Sequence, residues 1–416
     1  MVICVIGLGY VGLPLALAFC NKEIKTIGYD TSLKRIKELE KSLDKNGEFS
    51  KKELEKNKNL IFTNKKTDIK NSNIYIITVP TPVKKNKTPN LTPLLNASKT
   101  VGKYLSINDI VIYESTVYPG CTEEKCIPVL EKSSGLEFNK EFYCGYSPER
   151  INPGDKKRKL ANIVKVTSGS NKEIAIKVDE LYKKIIKAGT YLAPSIKVAE
   201  ASKIIENIQR DVNISLMNEL AIIFDRIKVD TSEVLKASST KWNFLDFKPG
   251  LVGGHCIGVD PYYLAYKAKQ TGYTPNVILS GRKVNNKMGK HIANRIYELI
   301  LAKNLNPIKC RALILGITFK ENCSDIRNSR IFNLYKELKK INLKVDVYDP
   351  YAIKKEVLKN FKIKLLDNIK YKYDIIILAV AHKKFLKMNL VNFKTINGII
   401  YDVKSVLDEN IISGRL

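Results

Sequence analysis

The chain has 416 residues, room for about three domains of ~150 residues and for more than one buried core. Its 44% hydrophobic and 27% charged residues exclude wholesale disorder, a collagen-like repeat and a disulfide-dense scaffold. With 71 basic and 42 acidic side chains the net charge is +29, a balance that favours anionic partners such as nucleic acid, a membrane surface or phosphorylated small molecules. The excess is mostly lysine scattered along the chain, without a basic arm, and reads as solvated surface. Eight cysteines and three histidines form no C-x-x-C pair and no zinc spacing, so no metal site is expected, and the thiols read as reduced in a cytoplasmic protein.

Val2-Ile3-Cys4-Val5-Ile6 is a β-branched run ending at a glycine, a buried strand. Residues 2–20 are almost continuously apolar and contain Ala16-Leu17-Ala18, yet no positive segment precedes them, and the three glycines among them argue against a signal peptide. No other uncharged stretch approaches the ~20 residues that span a bilayer. Further strands are expected at Ile24–Tyr29, Ile74–Val79, Ile110–Tyr113 and Phe142–Tyr146, with helices between them, an alternation that implies a parallel doubly wound sheet. Residues 197–229 lack glycine and proline, and Ile204, Ile205, Ile208, Val212, Leu216 and Leu220 recur at helical spacing, which predicts a long helix or two nearly collinear ones. From about residue 310 the opening pattern returns in Arg311–Leu315, Val345–Asp349 and Ile375–Val380. The expected fold is α/β, with two Rossmann-like doubly wound domains, 1–195 and 301–416, joined by a central helical domain, 196–300.

Gly7-x-Gly9-x-x-Gly12 follows a strand, opens a helix and precedes Asp30 by about 20 positions, the context that a dinucleotide-binding turn requires. Gly7 permits the tight turn, Gly9 lets backbone approach a pyrophosphate, and Gly12 lets helix and strand pack closely. The anion would sit on the helix N-terminus. Asp30 would hold ribose hydroxyls and repel a 2′-phosphate, which favours NAD over NADP. Later, Gly253-Gly254-His255-Cys256-Ile257-Gly258-Val259-Asp260-Pro261 places a thiol between glycines, with Asp260-Pro261 as N-cap and first residue of a helix running to Gly272. A thiol beside a helix N-terminus has a lowered pKa and can act as a nucleophile. Lys203 and Asn207 stand four apart and share a helix face.

The ordered set of Gly7-x-Gly9-x-x-Gly12, Val79-Pro80-Thr81-Pro82, Glu114-Ser115-Thr116-Val117, Ser147-Pro148-Glu149, Glu200-x-x-Lys203-x-x-x-Asn207, Gly254-His255-Cys256-x-Gly258-x-Asp260-Pro261 and Gly316-x-x-Phe319-Lys320 resembles the UDP-glucose/GDP-mannose dehydrogenases, from the N-terminal turn past Lys320. The resemblance implies a four-electron, NAD-dependent oxidation of a nucleotide sugar's C6 alcohol to a carboxylate. It implies NAD in the N-terminal domain, held by Gly7, Gly9, Tyr10, Val11, Gly12, Asp30, Arg35, Pro80, Thr81, Thr116 and Arg327. The UDP-sugar would be held by Glu149, Arg150, Lys203, Asn207, Gly253 and Lys320. Cys256 would form a thiohemiacetal and then a thioester. Lys203 and Asn207 would stabilise the oxyanion, Asp260 with Lys203 would activate water, and Glu149 and Thr116 would lie near the reacting carbon.

The resemblance also implies a homodimer through the central helices, supplying an aminosugar uronic acid for surface polysaccharide, while the dispersed lysines and the lack of a binding motif argue against a nucleic-acid partner and the lack of a spanning stretch against a membrane one. Members acting on UDP-glucose place a second glutamate four residues after the first, where this chain has Pro153. The Glu149-Arg150-x-x-Pro153-Gly154 pattern, with Ile151-Asn152, is similar to the branch for UDP-N-acetylglucosamine or UDP-N-acetylgalactosamine. UDP-N-acetylmannosamine and UDP-glucose are the alternatives, and a two-electron hydroxy-acid dehydrogenase is the rival of similar fold. Lys241 and Lys248 stand where the family takes an arginine from the partner subunit.

Overall fold

Short, largely apolar runs and the helices between them build the first half of the chain. In order these are β1 (Val2–Ile6), α1 (Gly12–Cys20), β2 (Lys25–Tyr29), α2 (Leu33–Glu40), α3 (Lys51–Glu55), β3 (Leu60–Thr63), β4 (Ile74–Ile77), α4 (Thr92–Gly102), β5 (Ile110–Tyr113), α5 (Ile127–Ser134) and β6 (Tyr143–Tyr146). The computed structural model describes residues 1–57, 59–150, 159–254 and 257–416. It divides into two compact units, Met1–Glu206 with Tyr262–Tyr273, and Asn207–Pro261 with Thr274–Leu416.

In the first unit the six strands are all parallel, in the order β3-β2-β1-β4-β5-β6. This is the doubly wound dinucleotide order, whose ligand crevice lies beyond the carboxyl ends of β1 and β4 where the order reverses. The apolar opening run is explained by burial: Leu13, Leu15, Ala16, Leu17 and Phe19 of α1 pack with Ile3, Val5 and Ile76 of the sheet in one core. A further element, β7 (Lys165–Thr167), α6 (Lys172–Lys183) and β8 (Thr190–Leu192), forms a separate parallel pair of strands joined by a helix. Then come α7 (Ile196–Arg226), α8 (Thr231–Ser238), α9 (Asp260–Gln270) and α10 (Asn276–Ala302).

The second unit carries β9 (Arg311–Leu315), α11 (Ile331–Lys340), β10 (Lys344–Tyr348), α12 (Lys354–Phe361), β11 (Tyr373–Leu378), α13 (Lys383–Leu386), β12 (Lys394–Asp402) and β13 (Gly414–Arg415). Its sheet is parallel, in the order β10-β9-β11-β12-β13. The two sheets repeat one local device. Gly7 donates its N–H to the Tyr29 carbonyl (2.8 Å) and Gly316 to that of Tyr348 (2.9 Å), both glycines at φ near +95°, where a Cβ would be strained. The aspartate after each second strand then receives the next turn: Asp30 accepts from Leu8 N–H, and Asp349 from the N–H groups of Ile317 and Thr318. The fold is thus α/β, with two Rossmann-like halves and a helical region between them.

Several expectations shift. Strand β3 went unread because Leu60-Ile61-Phe62-Thr63 is short and flanked by lysine and asparagine. The predicted strands in both halves keep their places, with ends moved by one or two residues, which is the usual uncertainty at element ends. The long helix is one helix. Of the apolar residues read as its packed face, Ile204 and Ile208 are buried, but Ile205 and Leu216 are 55% and 49% exposed. Its most buried stripe is polar: Glu200, Lys203, Asn207, Asp211, Ser215 and Asn218.

Candidate active site

The first unit carries the cofactor cleft. Gly12 stands so close to the Gly7 carbonyl and the Thr78 hydroxyl that a Cβ has no room, whereas a Cβ on Gly9 would meet nothing within 4 Å. The first glycine makes the turn, the last packs the helix, and the middle one faces open space. No described side chain caps α1, so its N-terminal N–H groups suit an anion. Asp30 holds the turn through Leu8 N–H (2.9 Å) and the next one through Ser32 N–H (2.8 Å). Arg35 braces the same turn, its Nε donating to the Leu8 carbonyl (2.9 Å) and its Nη1 pairing with Asp44 (2.8 Å). Beyond them a cleft of about 860 Å³ is lined by Gly7, Asp30, Lys66, Val79, Pro80 and Asn96. These residues fit NAD: a bare glycine at the pyrophosphate position, an open helix start, and a carboxylate placed for ribose.

The loops after β4 and β5 are laced together over the carboxyl edge of the sheet. The Ser115 hydroxyl donates to the Val79 carbonyl (2.7 Å), the Thr81 hydroxyl to that of Thr116 (2.6 Å), and the Tyr263 hydroxyl to that of Thr81 (2.6 Å). Sequence reasoning missed Tyr263, which had no signal beyond an aromatic in a helix.

Next to these loops, Lys203 of α7 donates to the Glu149 carbonyl (2.8 Å), with the Glu149 carboxylate 3.7 Å away. Both side chains are largely buried, and Glu149 Oε1 has no hydrogen-bond partner among the described residues. Arg150 Nη2 pairs with Glu206 at 2.9 Å, yet among the described residues neither Nη atom makes a directed hydrogen bond. Unspent buried polar groups of this kind ask for a ligand. Glu200, also on α7, accepts the N–H groups of Gly120 (2.5 Å) and Thr122 (2.9 Å). Burial pushes its carboxyl up to about 7.

In the second unit Asn207 donates its amide to Asp260 Oδ2 (2.5 Å) and accepts from Arg210 (2.7 Å). Asn207 and Asp260 are each 2% exposed. Asp260 begins α9, within one residue of the expected capping position, and its Oδ2 is engaged by Asn207. Gly253 abuts backbone: a Cβ there would lie 2.8 Å from the Asn328 carbonyl oxygen. The Lys320 ammonium lies 5.5 Å from the centroid of the Phe319 ring, and Arg327 forks onto Asp325. His255, Cys256 and the segment Ile151-Asn152-Pro153-Gly154 lie outside the described residues. Among the described residues, no helix is long and apolar enough to cross a membrane.

The UDP-glucose/GDP-mannose dehydrogenase family matches in three parts: its NAD binding domain over residues 1–186, its central domain over 197–287 and its UDP binding domain over 313–409. The chain is 53% identical over 409 residues to the UDP-N-acetyl-D-glucosamine 6-dehydrogenase of Salmonella typhi, covering 97% of this chain and 96% of that one. It is 51% identical over 412 residues to the enzyme of the same name from Pseudomonas aeruginosa, covering 98% and 97%. Among solved structures, the UDP-D-ManNAc dehydrogenase from Pyrococcus horikoshii matches with a TM-score of 0.88 at 30% identity, covering 100% of this chain and 98% of that one. The chain belongs to the UDP-glucose/GDP-mannose dehydrogenase family and is an NAD-dependent oxidoreductase.

Proposed function

We propose that the chain oxidises the C6 alcohol of UDP-N-acetyl-D-glucosamine to the carboxylate, using two NAD per sugar. The observation that carries the substrate is the 53% identity over 97% of the chain to an enzyme named for that sugar, against 30% to the mannosamine enzyme of known structure. The Glu149-Arg150-x-x-Pro153-Gly154 pattern points the same way, and Glu149 Oε1 and Arg150 Nη1, without a hydrogen-bond partner among the described residues, supply polar capacity for a ligand.

NAD would be held by the turn Gly7–Gly12, by Asp30 and by Pro80, Thr81 and Thr116, and supplies the hydride acceptor when bound. Cys256 adds its sulfur to the C6 aldehyde, giving a thiohemiacetal that keeps the reactive aldehyde on the enzyme. Once that adduct is oxidised to the thioester, water attacks and the thiol leaves. Lys203 and Asn207, one turn apart on α7, stabilise the oxyanion in a site where a cation and an amide donor are worth far more than in water. Asp260, held at Asn207, takes the proton of the attacking water, with Lys203 assisting. Glu149 and Thr116 stand near the reacting carbon. Arg150, Gly253 and Lys320 contact the sugar nucleotide, and Arg327 the cofactor.

In this reading residues 1–195 bind NAD, 196–300 form a homodimer contact and 301–416 bind UDP. The enzyme works in the cytoplasm and supplies an aminosugar uronic acid for polysaccharide.

The test is NADH formation run to completion with UDP-N-acetylglucosamine, UDP-N-acetylgalactosamine, UDP-N-acetylmannosamine or UDP-glucose. Two NADH per UDP-N-acetylglucosamine, abolished at steady state by Cys256→Ser, is expected. One NADH per sugar, or turnover only with another substrate, overturns the reading.

A further inference from the structure

We infer that Lys165 is a positioning residue for the reaction: its buried ammonium, held by Glu114 and Tyr182, ties down the backbone of Ser147 and Pro148 and so sets where Glu149 stands. The inference rests on the proposed role of Glu149 at the reacting carbon. Lys165 lies in β7 and is 3% exposed. Its Nζ donates to Glu114 Oε2 (2.9 Å), to the Pro148 carbonyl (3.1 Å) and to the Ser147 carbonyl (3.4 Å). An ammonium has three protons, and these three acceptors use them all, so none is left for substrate. The Tyr182 ring lies 4.8 Å from the same nitrogen, and the Tyr182 hydroxyl donates to the other oxygen of Glu114.

The arrangement answers a local need. β6 ends at Tyr146, and Pro148 has no N–H to offer a neighbouring strand, so the chain leaving the sheet toward Glu149 has little ladder to hold it. Two buried lysines replace that ladder. Lys165 takes the carbonyls of residues 147 and 148, and Lys203 takes that of 149. Three successive carbonyls are thereby fixed, while Glu149 Oε1 keeps its bonding capacity. Glu114 closes the frame from the other side, because it is the first residue of the loop that carries Thr116. One cluster therefore fixes the chain leaving both β5 and β6. Burial raises the Glu114 carboxyl and lowers the Lys165 ammonium, each partly offset by the charge of the other.

A buried ion pair is a weak source of stability, and apolar replacements of similar volume are often tolerated. The double variant Glu114→Leu/Lys165→Met separates the two roles, because it keeps a filled core but frees the carbonyls. It should melt near wild type and bind NAD by calorimetry within about threefold, while kcat with UDP-N-acetylglucosamine, or whichever of the four sugar nucleotides turns over, falls about 10- to 100-fold, the scale of a small misplacement of a reacting group. Glu149→Gln should lower kcat in the wild-type background and add little in the double variant. Should the double variant not fold, Tyr182→Phe, which loosens Glu114 without changing shape, should still lower kcat several-fold at unchanged KM for NAD. Wild-type kcat in the double variant or in Tyr182→Phe overturns the inference, as does a full extra loss from Glu149→Gln in the double background. If Glu149→Gln leaves kcat intact in the wild-type background, the reading of Glu149 itself falls, a result distinct from failure of Lys165 alone.

Discussion

A methyl group is tolerated differently at two of the three glycines of the cofactor turn. At position 12 it would collide with the Gly7 carbonyl and the Thr78 hydroxyl, which are backbone and near-backbone atoms with no room to move. At position 9 it would meet no protein atom within 4 Å, only the space a pyrophosphate would fill. Gly9→Ala should therefore leave the melting temperature unchanged while weakening NAD about tenfold or more, which is ~1.4 kcal/mol. Gly12→Ala should lower both stability and NAD affinity. Thermal melts beside calorimetric titration with NAD check this, and an unchanged affinity in Gly9→Ala would show that the phosphates lie elsewhere. These glycines are legible in sequence because backbone geometry admits few substitutes. Lys165 is not, since a lysine between Val164 and Val166 reads as the solvent face of a strand, and only the approach of Glu114, 51 positions earlier, makes it a buried cation.

The helix α7 shows how far a periodic pattern can be read. Its spacing predicts a helix correctly, but apolar residues lie on more than one face, and the most buried stripe is polar, with Glu200, Asp211 and Asn218 each hydrogen-bonded to other parts of the chain. Val198, Ile205, Leu216 and Ile223 remain between 43% and 55% exposed. Steps of seven, eleven and seven residues bring them back to one line within about 20° at 3.6 residues per turn. An apolar line of this length on a surface helix asks for a covering partner, and it supports the proposed homodimer, in which a second copy lays its own α7 alongside. A charge in the middle of that line should separate the copies. Leu216→Glu should convert a dimer into a folded monomer, read as a halved mass by light scattering with an unchanged circular dichroism spectrum. A dimeric Leu216→Glu would remove α7 from the contact. The same pattern could not reveal from sequence which face is covered by the chain itself, because Ile204 and Ile205 are adjacent and indistinguishable in kind.

Across the whole chain the repeat of strand, glycine turn and aspartate was visible twice, since Gly7 with Asp30 and Gly316 with Asp349 answer the same backbone demand. The short β3 and the pair β7 and β8 were not, because Leu60–Thr63, Lys165–Thr167 and Thr190–Leu192 lack the isoleucine-rich run that marks the equally short β4 and β5. Tertiary burial also sets how stability follows pH. Glu200 has its carboxyl raised to about 7 and Asp109 to about 6, both chiefly by burial. Between the ordinary carboxylate range and those values the folded chain holds protons that the unfolded chain has lost. Stability must then fall as pH rises through that window. Carboxylates held low, such as Asp349 and Asp179, which their hydrogen bonds carry below the ordinary value against the effect of burial, act only at lower pH. His291, lowered by burial, opposes the trend near pH 6, so the contribution of Glu200 is best isolated by difference. Glu200→Gln mimics the neutral acid and keeps an acceptor for Gly120 or Thr122. Wild type and variant should melt alike near pH 5, and the wild type should lose ground as the pH rises to 8. Each kcal/mol corresponds to about 2–4 °C for a unit of this size. A difference that stays constant from pH 5 to pH 8 would mean that Glu200 is ionised throughout, its two backbone N–H bonds outweighing the cost of burying the charge.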